Sequence, residues 1–190
     1  HDRGVLSDAE LAAHLDDLRA IPALVNQALN TAEECEKLAG WLSESSDVLF
    51  LGRGPLYPVA LEGALKLKEL SYIHAEGYAS GELKHGPIAL IDQNMPVVVV
   101  APRDALFEKT ISNMQEVMAR HGQVLLVSDA AGIAEGGDGI RAGLTMPSGG
   151  GIFQPITYAV PMQYLAYYTA VAKGTDVDQP RNLANSVTVE

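Results

Sequence analysis

The spacing of apolar residues changes period several times along this chain, and each change predicts an element. Over 7–20, Leu11, Leu15 and Leu18 recur at helical spacing behind Ser7, which can cap, and Glu10 three residues on. Pro22 interrupts the pattern, so the spacing predicts a first helix ending there, a second over 22–30 and a third over 31–46. The short apolar run 48–51 reads as a buried strand leading into the turn Gly52-Arg53-Gly54-Pro55, and 59–72 as a strong helix. A short segment over 74–78 and a helical turn from about Ser80 to His85 follow. Residues 96–101 carry four valines and are apolar on both faces, the pattern of a central strand in a parallel sheet. Beyond lie a helix over 104–120, a strand over 124–128, a glycine-rich loop around 132–139, a weak strand near 144–146 and a long helix over roughly 155–172.

Strands and helices in alternation predict an α/β fold: a three-layer sandwich built on a doubly wound parallel sheet. Residues 1–46 are expected to pack on it as helices, 47–173 to form it, and 174–190 to be a polar tail of mixed composition. Such sheets bind ligands beyond the carboxyl ends of their strands. The turn 52–55 and the segments after 77 and 101 fall at that edge.

Composition narrows the functions. The 190 residues, 47% apolar and 19% charged, suit one globular domain or at most two small ones. Lys plus Arg less Asp plus Glu is 13 − 24 = −11, a surface that repels nucleic acid and anionic membrane. A small phosphorylated ligand remains compatible if the few cations are local, and Arg53, Lys66 and Arg181 are expected to gather for it. Cys35 is the single cysteine, which rules out an intrachain disulfide and fits a reducing compartment. The apolar stretch 95–102 is far too short to span a bilayer, and no signal-peptide pattern opens the chain. A first residue His1 rather than Met predicts a piece of something longer.

Two constellations could carry chemistry. Glu62, Lys66 and Glu69, spaced i, i+4, i+7, share one stripe of an otherwise apolar helix. That stripe is either a solvated face with a weak ion pair or a carboxylate base beside an ammonium on a rigid element, as proton transfer next to a carbonyl requires. His85 ends a helical turn before Gly86-Pro87, either capping carbonyls or serving as an acid or base near neutral pH. Gly52-Arg53-Gly54 lacks both the dinucleotide-binding glycine pattern and a P-loop lysine, and reads as a tight turn. The histidines show no metal-ligand spacing.

Three stretches together go further. Leu49-Phe50-Leu51-Gly52-Arg53-Gly54 with the run 60–69, then Tyr72-Ile73-His74-Ala75-Glu76 with Gly81-Glu82-Leu83-Lys84-His85-Gly86-Pro87, and finally the tail 174–184, resemble the C-terminal half of the isomerising glutamine–fructose-6-phosphate aminotransferases. The resemblance covers nearly the whole chain. It implies the second of two sugar-isomerase (SIS) domains, with a five-stranded parallel, flavodoxin-like sandwich. The implied reaction converts fructose 6-phosphate and glutamine-derived ammonia to glucosamine 6-phosphate by proton transfer between C1 and C2.

Carried over by motif, Glu69 matches the proton-moving carboxylate, Lys66 and Glu62 its supports, and His85 the ring-opening histidine, which in the family reaches a neighbouring subunit's site. The family's tail crosses that site. Arg181, Ala184 and Asn185 are the substrate-binding positions so implied. No cofactor and no metal are implied. The implied partners are a preceding SIS domain and a glutaminase domain, in a cytoplasmic homodimer.

Two departures stand out. The family's tail lysine engages the sugar carbonyl, and Asn185 stands there, an amide that can neither form an imine nor carry a positive charge. The Ser/Thr-rich phosphate loop of the family's first SIS domain has no counterpart in this chain. The fragment alone is therefore expected to turn over little or nothing. The alternatives are a non-catalytic sugar-phosphate-binding or dimerisation SIS module, and an isomerase or deaminase of another amino sugar phosphate.

Overall fold

The structure is a computed structural model, and it describes residues 3–182. Five parallel strands form one sheet: β1 (Asp47–Gly52), β2 (His74–Ala79), β3 (Pro96–Val100), β4 (Gln123–Asp129) and β5 (Ala142–Met146). Their order is β2-β1-β3-β4-β5, the doubly wound arrangement with its switch point between β1 and β3. The continuous apolar runs of the middle strands follow from burial on both faces. Val48 and Phe50, Val98 and Val100, and Leu125 and Val127 enter one core, while Leu49 and Leu51, Val97 and Val99, and Val124 and Leu126 enter the other.

Helices α1 (Asp8–Ala28), α2 (Ala32–Ser43), α3 (Tyr57–Ser71) and α6 (Gln154–Lys173) cover the first face, with α6 packed against the other three. On the second face lie α4 (Phe107–Met118), α5 (Ala130–Gly136) and two 3-10 turns, Ser80–His85 and Pro87–Leu90. α2 sends Cys35 and Leu42 into the first core, where burial pushes the Cys35 thiol up to about 12 and leaves it an inert packing group.

Three expectations change. Pro22 does not end the first helix, because α1 runs through it to Ala28. Leu18 and Pro22 both face solvent, where water can serve the Leu18 carbonyl that a proline cannot bond, while buried Ile21, Leu24 and Ala28 hold the helix together from the inside. The glycine-rich stretch after β4 begins as α5, because the Asp129 side chain caps it by accepting from the Gly132 N–H. The segment 74–78 becomes the edge strand β2, drawn into register by pairing with β1 from Asp47↔His74 to Gly52↔Ala79. Along its outer row His74 Nδ1 lies 2.9 Å from Asp47 and Nε2 3.5 Å from Glu76, whose carboxylate accepts from the Tyr78 hydroxyl.

α3 lies close to both β1 and α6 because Gly63 carries no side chain. A Cβ there would stand 2.9 Å from Met162 Sδ and 2.9 Å from the Phe50 ring. Gly63→Val should therefore overpack the first core and cost about 1–3 kcal/mol, lowering Tm by about 2–4 °C for each kcal/mol. Thermal denaturation followed by circular dichroism measures it, and an unchanged Tm would refute this account of the contact.

Candidate functional site

α3 starts behind the turn after β1 and runs back toward the start of β2. Val59, Ala60, Ala64 and Leu67 bury its inner face. That burial fixes the helix and leaves Glu62, Lys66 and Glu69 on its outer side, partly exposed. Lys66 Nζ donates to Glu69 Oε2 at 2.8 Å and stands 3.9 Å from Glu62 Oε1. The row is thus a working pair plus a looser flanking acid. The hydrogen bond to Glu69 raises the Lys66 ammonium above the usual lysine range; partial burial opposes it, and the charges of Glu69 and Glu62 add to it. Lys66 therefore stays a cation through neutral pH and orients the Glu69 carboxylate. Glu69 Oε1 has no partner among the described residues and can accept a proton from a ligand.

This row does not sit at the carboxyl edge of the sheet. Glu69 lies in the last turn of α3, and three residues past that helix β2 begins at the opposite edge. The cations gather only in part. Arg181 does come to this end of α3, its guanidinium carbon 4.1 Å over the Tyr72 ring. Arg53 instead reaches into the second layer, donating to Asn113 Oδ1 at 2.8 Å and packing beside Gly81.

His85 also belongs to the second layer. It closes the 3-10 turn Ser80–His85, whose Leu83 is buried in the second core and whose Lys84 pairs with Glu116 of α4 at 2.9 Å. Its imidazole is exposed and lies 2.8 Å from Glu82. The sheet separates it from Glu69, so one copy of the chain does not bring the two together. Ala184 and Asn185 lie outside the described residues.

Reading the residues one by one missed Tyr72 and Thr175. Neither shows a periodicity, since each acts by holding segments far apart in the chain. The only signal for Tyr72 is negative: no glycine stands where α3 must stop.

The chain is a doubly wound parallel α/β domain whose crossover helix displays a carboxylate–ammonium pair. Residues 41–173 match the family model described as the SIS domain, and the chain belongs to that family. It is 60% identical over 188 residues to the isomerising glutamine–fructose-6-phosphate aminotransferase of Bradyrhizobium diazoefficiens, covering 99% of this chain and 31% of that protein. The corresponding protein of Zymomonas mobilis is 57% identical with the same coverage. The chain thus spans about a third of the length of the curated relatives it matches. Among solved structures, the C-terminal domain of glucosamine-fructose-6-phosphate aminotransferase from Francisella tularensis superposes with TM-score 0.86 at 48% identity, covering 92% of this chain and 49% of that one. A putative tagatose-6-phosphate ketose/aldose isomerase from Clostridium novyi, at 21% identity and TM-score 0.70, shares the fold.

The pair yields a pH prediction. A raised lysine pKa contributes stability that is fully present below the unfolded-state value and is lost as pH rises through the folded value. In an NMR titration of lysine side chains, Lys66 should titrate above the usual lysine range. Glu69→Gln should bring it down markedly and Glu62→Gln only slightly. A Lys66 titration unmoved by Glu69→Gln would refute the pairing.

Proposed function

We propose that this chain is the second SIS domain of an enzyme that makes glucosamine 6-phosphate from fructose 6-phosphate and glutamine-derived ammonia. The observation that carries the reading is the Lys66–Glu69 pair on a buried-backed helix, in a chain 60% identical to an isomerising aminotransferase over nearly all its length. Glu69 moves the proton between C1 and C2 through an enediol- or enolamine-like intermediate, Lys66 orients it, and Glu62 adds negative charge to the row. A carboxylate held in one orientation needs no reorganisation when the proton transfers.

His85 opens the sugar ring in a neighbouring subunit's site. Its position across the sheet from Glu69 favours that arrangement over a site built from one chain. A homodimer follows, along with a preceding SIS domain that holds the phosphate and a glutaminase domain that supplies ammonia. The working compartment is the cytoplasm. Arg181, Ala184 and Asn185 are the tail positions assigned to substrate binding by the family motif. Asn185 weakens sugar capture, since it supplies neither an amine nor a charge.

In the full-length protein, Glu69→Gln should lower glucosamine 6-phosphate formation by at least a hundredfold and leave glutamine hydrolysis unchanged. Product formation near normal would sink the assignment. Asn185→Lys should raise the isomerising activity. The second reading, a non-catalytic sugar-phosphate-binding SIS module, is favoured by Asn185 and predicts no gain from that substitution.

A further inference from the structure

Arg53 stands away from the Glu69 end of α3, in the layer that carries His85. It leaves the end of β1 in an extended conformation, φ −136° and ψ 146°, and reaches between two other segments. Its Nη2 donates to Asn113 Oδ1 of α4 at 2.8 Å. The same guanidinium lies over Gly81, where a Cβ would stand 3.1 Å from Nη2 and 3.3 Å from Nη1. Gly81 is the second residue of the 3-10 turn that ends at His85. One side chain therefore joins the end of β1, α4 and the turn of His85.

This placement carries a cost. Arg53 Nε is buried with no hydrogen-bond partner among the described residues, and a buried donor left unpaired opposes folding. An apolar side chain would fill the same space without that penalty. The guanidinium fork does what an apolar group could not, since it bonds α4 and covers the glycine at once. Other contacts hold the turn at single points. Buried Ser80 donates from Oγ to the Gly52 carbonyl at 2.9 Å, Leu83 enters the second core, and Lys84 pairs with Glu116 of α4 at 2.9 Å. His85 adds only a contact within its own turn, Nδ1 lying 2.8 Å from Glu82 Oε2. The imidazole thus stands wherever the turn is held.

We propose that Arg53 is a positioning residue for His85: by locking the turn 80–85 against α4 it presets where the imidazole projects from the domain. The inference rests on the reading of His85 as the group that opens the sugar ring. Misplacing an acid–base group by about 1 Å can cost about a hundredfold in rate. A loosened turn is therefore felt in ring opening, whereas proton transfer at Glu69, in the other layer, is not disturbed.

The test uses the full-length protein and two ketose phosphates, fructose 6-phosphate and 5-deoxyfructose 6-phosphate. The second lacks the hydroxyl that closes the furanose ring, so it is always open and asks no ring opening of the enzyme. Arg53→Met keeps the stem and loses the fork. It should raise the ratio of kcat on the 5-deoxy sugar to kcat on fructose 6-phosphate about tenfold over the parent. Asn113→Ala, a milder change on α4, should raise the ratio less, and Asn113→Asp, which keeps an acceptor for the guanidinium, should hold it at the parent's value. Hydrogen exchange over 80–85 should quicken in Arg53→Met while exchange over β3 stays as in the parent. A purely structural role would slow both sugars alike, and an unchanged ratio in Arg53→Met and Asn113→Ala would overturn the proposal. His85→Gln tests the underlying reading and should raise the ratio further than Arg53→Met does. A raised ratio in His85→Gln with none in Arg53→Met sinks the positioning role alone. An unchanged ratio in His85→Gln, or a parent that turns over neither sugar, sinks the reading of His85 and the proposal with it.

Discussion

The close seat of α3 between the sheet and α6 is the constraint on which the candidate chemistry depends. Gly63 lets the helix approach Phe50 and Met162, and Ala60, Ala64 and Leu67 complete an inner face of small and apolar groups. A helix held so tightly has little freedom to roll. Its outer row is thereby held in place, and the Lys66–Glu69 hydrogen bond joins two partly buried side chains across it. The same pair on a loosely packed helix would be an ordinary solvated ion pair of little energetic weight.

The division of labour between the two faces of the sheet follows from this. One face carries α3, the Lys66–Glu69 pair and the segment over 174–182; the other carries His85 on a short 3-10 turn braced by the Lys84–Glu116 pair. The middle strands β1, β3 and β4 send apolar side chains into both cores. Glu69 and His85 thus stand in different layers of the one domain.

Much of the fold was legible in the sequence, for physical reasons that differ by element. The valines of β3 report burial on two faces directly, and the capping box of Ser7 and Glu10 marks a helix start that tertiary packing leaves alone. Pro22 misled because propensity treats a proline as a stop, whereas packing of Ile21, Leu24 and Ala28 carries the helix across it. β2 was illegible because His74, Glu76 and Gly77 have no strand preference of their own and are ordered by β1. The stripe Glu62, Lys66, Glu69 was readable from helical period. That Arg53 and His85 lie in the other layer was not, since no local pattern records on which side of a sheet a segment passes. The contact of Tyr72 with Arg181 joins residues 109 apart in the chain, which no local pattern records.

The charged outer row of β2 bears on how copies of this domain can meet. An edge strand with free backbone groups could in principle extend into the sheet of a neighbour. His74 between Asp47 and Glu76 would have to be stripped of water and packed against an identical row, and like carboxylates would face each other across the seam. Sheet continuation is thereby discouraged along that side. At the far edge, the junction of α1 and α2 lies against β5. Extension of the sheet is thereby disfavoured at both edges, and contact made through the helical layers instead would stop at a closed number of subunits rather than run on as a fibre.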